Sequence, residues 1–231
     1  MTSLTWLGHG TWSIETGASR LILDPFLDDS PTAPVKSGDV EADYILVSHG
    51  HFDHVADVVK IARRTGALVI APVEVGEWFK KQGVAADKVQ PLNLGGGVDL
   101  PPGRVKLTLA HHSSTMPDGS PGGNPGGFLL TLADATIYFA CDTALFYDMK
   151  LIGAAGLDLA VLPIGDVFTM GPEDSIEALK LLEPKRVAPT HYNTWPPIEQ
   201  DAAAWADRVR SETAAEPIVL EPGGVITLGV G

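Results

Sequence analysis

The chain has 231 residues, 45% of them hydrophobic and 19% charged, with a formal net charge of −13. That balance suits a folded domain with a substantial core, and no apolar run approaches the ~18 residues of a membrane helix, so no membrane partner is expected. The acidic excess repels phosphate backbones, and the only basic pairs of note, Lys80-Lys81 and Lys185-Arg186, are too small to offset it, so no nucleic-acid partner is expected.

Three short β-like runs open the chain, at residues 5–7, 12–15 and 20–23, separated by Gly8, Gly10 and Gly17. They read as an antiparallel meander. His9 sits at its first bend, either as a buried histidine satisfied by backbone or a carboxylate or as part of the wall of the site outside the metal shell, and it is not assigned to the metal. Residues 25–42, with Pro25, Pro31, Pro34 and Gly38, lack periodicity and are expected as a surface loop. Residues 44–47 (YILV) have the unbroken apolar character of a buried strand, and residues 55–64 have helical periodicity.

Between that strand and helix stands His49-Gly50-His51-Phe52-Asp53-His54. Three imidazoles and a carboxylate in six residues read as a metal site, because clustered imidazoles without an ion would need many separate hydrogen-bond partners. The loop between a strand and the following helix is also where α/β architectures build sites. His49 and His51, two apart in an extended segment, can face one ion, and Asp53 and His54 are free to reach a second.

One loop supplies half of a two-metal site, so later strand ends should supply the rest. After a buried strand at 67–71 and a short helix bearing Trp78 and Phe79, a glycine-punctuated region of short strands ends in His111-His112. His112 is the better ligand candidate, since His111 faces the opposite side if the strand persists. Residues 113–127 hold five Gly and three Pro, which suits either a lid over the site or a linker between two halves. A hairpin of residues 128–132 and 136–139 then ends in Cys141-Asp142, a strand at 187–190 ends in His191, and helices are expected over 174–182 and 198–210. The chain thus reads as one domain spanning residues 1–231, with two similar halves at about 1–112 and 128–231, stacked sheets, outer helices and ligands along the shared edge.

Several motifs together resemble the metallo-β-lactamase superfamily and, within it, a bacterial family of compact metal-dependent hydrolases related to the ascorbate-phosphate lactonases. They are Gly8-His9, Asp24-Pro25-Phe26, the H-x-H-x-D-H loop, Asp142-Thr143-Ala144-Leu145-Phe146, Pro163-Ile164-Gly165-Asp166, the run from Phe168 through Gly171-Pro172 to Asp174, and His191-Tyr192-Asn193-Thr194. The resemblance implies an α+β fold, the four-layer αββα sandwich. It implies that His49, His51 and His112 hold one metal, that Asp53, His54 and His191 hold the other, and that Asp142 bridges them. It also implies that Asp24 braces the ligand loop from outside the metal shell. Cys141 is a departure, standing where the family has Gly before the bridging Asp. Asp166, Tyr192 and Asn193 follow strand ends near the ligands and are candidates for substrate contacts.

Two divalent ions against two anionic ligands leave a net charge of about +2, and zinc lowers the pKa of a bound water to roughly 7. The expected activity is metal-dependent hydrolysis, with a hydroxide bridging the two ions attacking a small-molecule lactone, ester, amide or phosphoester, anionic substrates included. Asp142, Asp53 and His191 are the expected catalytic ligands. Zn2+ suits the His/Asp set best, with Mn2+ or Fe2+ also compatible. Two other readings compete: a phosphodiesterase or nuclease of the same superfamily, which would want a basic exosite, and a non-catalytic protein with a structural metal site. The single Cys excludes an internal disulfide, and residues 1–6 carry no basic, apolar leader, so a cytoplasmic location is expected. Association into a homo-oligomer is compatible with all of this.

Overall fold

The opening meander forms as β1 (Thr2–Trp6), β2 (Trp12–Thr16) and β3 (Ser19–Leu23) in the computed structural model, which describes residues 1–229. The sheet continues, now in parallel, through β4 (Tyr44–Leu46), β5 (Leu68–Pro72) and β6 (Val89–Leu92). Parallel neighbours need crossovers, and helices supply two of them. These are α1 (Phe52–Val55) with α2 (Val58–Thr65) between β4 and β5, and α3 (Val73–Lys81) between β5 and β6.

The second sheet repeats the plan. β7 (Gly97–Leu100), β8 (Gly103–Leu109), β9 (Gly126–Leu132) and β10 (Thr136–Phe139) run antiparallel, and β11 (Leu159–Pro163), β12 (Arg186–Thr190) and β13 (Glu216–Pro217) follow in parallel. Its helices are α4 (Met149–Gly153), α5 (Pro172–Leu182) and α6 (Ala202–Glu212). A last strand, β14 (Val225–Leu228), returns to the first sheet and pairs antiparallel with β1.

Side-chain alternation explains why the sheets stack. Leu4, Trp6, Trp12, Ile14, Leu21 and Leu23 share one core cluster with the second sheet, whereas the alternate residues Ile22, Ile45 and Val69 pack with Ile61 of α2 and Phe79 of α3. The result is helix, sheet, sheet, helix, the expected αββα sandwich.

Three expectations are corrected. The halves do not divide at residues 113–127: β7 and β8 belong to the second sheet, so the changeover falls between β6 and β7, at the glycine run 95–97. The helix expected over 55–64 breaks at Ala56-Asp57, because the Asp57 carboxylate is turned back to accept the backbone N–H groups of Leu27 (2.7 Å) and Asp28 (3.0 Å), pinning the proline-rich loop. The helix expected from 198 begins at Ala202, where Asp201 caps the N–H groups of Ala203 and Ala204 at 3.0 and 2.9 Å.

The Gly/Pro segment is the tip of the β8–β9 hairpin, whose register runs from Gly103↔Leu132 to Leu109↔Gly126. It therefore joins neighbouring strands of one sheet. It also has internal order: Thr115 bridges Pro121, the Met116 N–H donates to Ser120 O (2.9 Å), and Met116 is buried. Bonds to the first half hold it at both ends and at its tip: the Gly50 N–H donates to Ser114 Oγ (3.0 Å), Ser113 Oγ lies 3.3 Å from His51 Nε2, the Gly126 N–H donates to Ser48 O (3.0 Å), and Trp78 Nε1 donates to Asp118 Oδ2 (2.7 Å). Removing the outer anchor with Asp118→Ala should leave the melting temperature nearly unchanged while speeding amide exchange at Met116 and Gly119. Unchanged exchange would mean that the loop's internal bonds alone fix it.

Candidate metal centre

The strands deliver their site residues through sharp turns. His9 after β1, Asp24 after β3, Cys141 after β10 and His191 after β12 all have left-handed backbone, with φ of 50°, 44°, 54° and 54°. Such a conformation costs a non-glycine residue roughly 1–3 kcal/mol, and four of them, two from each sheet, mark a region whose geometry is imposed by more than local preference.

Those turns, the H-x-H-x-D-H loop and the end of β8 bring seven side chains together. His51 Nδ1 lies 3.0 Å from His49 Nε2 and 3.3 Å from His112 Nε2. Ring nitrogens around one tetrahedral ion at a Zn–N distance near 2.05 Å stand about 3.3 Å apart, so this trio has the spacing of a coordination shell. Beside it, Asp53 Oδ2 lies 3.8 Å from His54 Nε2 and 3.9 Å from His191 Nε2. Asp142 Oδ2 stands between the groups, 3.1 Å from His191, 3.3 Å from His54, 3.6 Å from His112 and 3.9 Å from His49. Both His54 Nε2 and His191 Nε2 are buried without a hydrogen-bond partner. Buried polar atoms are rarely left so, and a divalent cation is a group that would satisfy both at once. The residues fit metal ions.

Outer contacts aim the rings. Asp24 accepts from the Ser48 N–H (2.7 Å), from Ser48 Oγ (2.5 Å) and from His54 Nδ1 (2.9 Å). With its proton committed to Asp24, Ser48 Oγ accepts from His49 Nδ1 (2.9 Å), which leaves the His49 Nε2 lone pair toward the cluster. His9 Nε2 lies 2.9 Å from Asp53 Oδ2, and its Nδ1 lies 2.8 Å from Thr194 Oγ1. A carboxylate only accepts, so a neutral His9 donates from Nε2 and accepts from Thr194. Thr194 belongs to the His191–Thr194 motif, but neither its role nor that of Ser48 is legible in sequence, because single hydroxyls near ligands carry no pattern of their own.

The electrostatics separate the two groups. Burial, helped by neighbouring imidazoles, pushes His49 well below the usual histidine range and also lowers His51 and His112 despite the nearby Asp142 carboxylate. These three are neutral near pH 7, as ligands must be. Burial and His191 push His9 down to about 4. His54 goes the other way: burial opposes its charge, but Asp142, Asp53 and Asp24 together outweigh burial and hold it well above the usual range. Burial likewise works against the anions, yet His191 and His54 hold Asp142, and His54 and His9 hold Asp53, well below the usual carboxylate range.

The cluster floors a cavity of about 730 Å³ whose walls are Phe52, Met116, Pro117, Phe168, Trp195 and Pro197. The candidate substrate contacts lie elsewhere. Tyr192 stacks on Trp6 (ring centroids 5.3 Å apart) and lines a separate recess, Asn193 Oδ1 accepts from the Gln200 N–H (2.7 Å), and Asp166 Oδ1 accepts from its neighbour Val167 (2.7 Å). Following a strand end did not suffice, because the left-handed backbone at His191 and Asn193 turns the chain between successive residues. His111, the rejected alternative to His112, is exposed and packs on Phe146. The aromatic wall had one legible signal, an aromatic directly after a ligand in His51-Phe52.

Known proteins resemble the chain at three levels. A family model described as the beta-lactamase superfamily domain matches residues 19–192. A UPF0173 metal-dependent hydrolase of Thermus thermophilus is 47% identical over 228 residues, covering 99% of this chain and all of that protein. Another from Heliobacterium modesticaldum is 44% identical over 236 residues, covering 99% of this chain and 98% of that one. Among solved structures, Igni18, a metallo hydrolase from the archaeon Ignicoccus hospitalis, superposes with a TM-score of 0.88 at 32% identity and covers 98% of each chain. With a shared fold, near-complete coverage and a His/Asp cluster suited to metal, the chain belongs to the beta-lactamase superfamily and, within it, to the UPF0173 metal-dependent hydrolases.

Proposed function

We propose that the chain is a binuclear hydrolase of small molecules, in which His49, His51 and His112 hold one ion, Asp53, His54 and His191 hold the other, and Asp142 lies between. The observation that carries this reading is the position of Asp142 Oδ2, within 3.9 Å of one ring nitrogen on each of four histidines drawn from both groups. Zn2+ fits the donor set best, and Mn2+ or Fe2+ is compatible with its carboxylate content. Divalent ions held there would supply Lewis acidity and, for zinc, would lower the pKa of a bound water from 15.7 to roughly 7, which would suit hydrolysis at a carbonyl or phosphorus centre.

The chain's own residues do the positioning. Asp24 fixes His54, Ser48 fixes His49, and His9 keeps the Asp53 carboxylate anionic and oriented. The net charge of −13 and a cavity wall without Lys or Arg weigh against the nuclease alternative, and the open 730 Å³ cavity weighs against a purely structural metal.

Elemental analysis after reconstitution with excess Zn2+ or Mn2+ should find two ions per chain; one or none would end the binuclear reading. Asp142→Asn should lower kcat/KM about a hundredfold or more, beyond the usual cost of losing an outer contact, with little change in melting temperature. Full activity in that variant would remove Asp142 from the centre.

The two ions should also differ in pH response. His49, His51 and His112 are already neutral, whereas His54 holds a proton that a metal must displace. Competition with a chelator across pH 6 to 8 should therefore show one affinity rising by about tenfold per pH unit and the other changing less. Equal slopes would mean that metal binding displaces no proton from His54.

A further inference from the structure

Nothing in the mouth of the cavity is built to hold an anion. Among the described residues no lysine or arginine lines it, and outside the metal cluster its only hydroxyl side chains are Ser113 and Thr115. The rest of the wall is largely apolar, with the aromatic Phe52, Phe168 and Trp195 beside Met116, Pro117 and Pro197. Phe52 and Phe168 are each 57% exposed, which is unusual for phenylalanine on a free surface.

The aromatic side is braced from beneath. Phe26, itself buried, meets Phe52 edge-on (centroids 5.8 Å apart, 83°) and lies 6.0 Å from Trp195. Trp195 lies 6.1 Å from Phe52 and edge-on to His9 at 4.9 Å. The Phe26–Phe52 and Trp195–His9 contacts are edge-to-face, a geometry that aromatic rings prefer, and the two Trp195–Phe contacts are tilted at about 40°, so the wall is packed before any ligand arrives. Phe52 directly follows His51, and Trp195 comes four residues after His191, so the wall starts at the metal cluster itself. Phe168 lies on the loop between β11 and α5 and closes the cavity from the second sheet.

We infer that the substrate is an uncharged carboxylic ester or lactone with an apolar, aryl-bearing arm that lies along Phe52, Trp195 and Phe168 while its carbonyl faces the His/Asp cluster. This rests on the hydrolase reading above and narrows it to carboxylic esters with neutral arms. In the reaction the acyl carbon–oxygen bond breaks, water gives its hydroxyl to the acyl carbon, and the departing alkoxide takes up a proton. A cavity of about 730 Å³ holds a ligand of that size, and the apolar wall favours burying the arm. An anionic arm would lose its hydration there and gain no cation in return.

The test uses the full chain loaded with Zn2+ or Mn2+ and three esters with the same leaving group: 4-nitrophenyl acetate, 4-nitrophenyl 3-phenylpropionate and 4-nitrophenyl glutarate, whose arm ends in a carboxylate. Bis(4-nitrophenyl) phosphate serves as the anionic phosphodiester. The phenylpropionate should exceed the acetate in kcat/KM by about tenfold or more, the range that hydrophobic pockets provide, and the glutarate should not. Phe52→Ala and Trp195→Ala should each cut the phenylpropionate-to-acetate ratio severalfold, with metal content unchanged by elemental analysis. Equal rates on all three esters, preference for the glutarate or the phosphodiester, or a ratio that survives both substitutions would overturn the inference.

Binding is read separately with 4-phenylbutan-2-one, an uncharged ketone that cannot be hydrolysed. It should change the tryptophan fluorescence of the wild-type chain, and Trp195→Phe should remove most of that change. A chain that binds the ketone this way but cleaves none of the esters would sink the hydrolytic reading and leave the aromatic wall standing. Cleavage of the esters without ketone binding would sink the wall and leave hydrolysis standing.

Discussion

The backbone carbonyl of His9 joins the two sheets at the edge where the site is built. It accepts from Trp6 Nε1 (2.9 Å) within the first sheet, and from Thr190 Oγ1 (2.7 Å) and the His191 N–H (3.1 Å) at the end of β12 in the second. Trp12 Nε1 in turn donates to Thr190 Oγ1 (3.1 Å). Sheets packed face to face by apolar side chains can slide, since the hydrophobic effect is non-directional. Hydrogen bonds are directional, and this set holds His191 in place relative to the ligand loop of the other sheet. The ring of His9 itself orients Asp53, so one histidine links the frame to the chemistry.

Such a centre sets charge against burial. Asp53 and Asp142 are buried carboxylates, and isolated ones would take up protons to avoid the loss of hydration. They stay anionic because imidazoles surround them and because His54 carries a compensating proton in the metal-free chain. That proton occupies the place of a cation. Asp24 adds to the carboxylates that favour this proton, and its hydrogen bond to His54 Nδ1 leaves Nε2 as the nitrogen facing the cluster.

Local strain has the same origin. The site residues sit just beyond strand ends, where side chains must swing from the sheet plane into the cleft within one or two residues. A left-handed φ achieves that turn, and the packed strands on either side hold it. Cys141 shows the effect at a position where the resembling family carries glycine: its φ is 54°, which glycine adopts freely and cysteine does not. The thiol is buried and lies 3.8 Å from the Phe139 carbonyl, with burial first, then Asp24 and Asp142, pushing its ionisation well above the usual range. It packs as a small neutral side chain, inert as a nucleophile.

Much of the metal cluster was legible in the sequence because its chemistry is dense and local. Three imidazoles and a carboxylate in six residues announce themselves, and the remaining candidates each stand at the end of an apolar run, where period-2 patterning marks a strand. The same patterning gave the paired sheets and outer helices. The division between the halves was misread because the Gly/Pro loop is the more conspicuous break, although the β8–β9 register that spans it is a long-range pairing no local window contains. Asp166, Tyr192 and Asn193 were placed by proximity along the chain, whereas the direction each faces depends on backbone dihedrals that only the packed fold imposes. Of the aromatic wall only Phe52, directly after His51, had a signal in sequence: Phe52, Phe168 and Trp195 come from three distant segments, and only closure of the two sheets makes them a single surface. Sequence determined which groups could bind metal, because ligand chemistry belongs to residue types. Tertiary structure decided what faces them, because a cavity wall is a property of contacts between segments far apart in the chain.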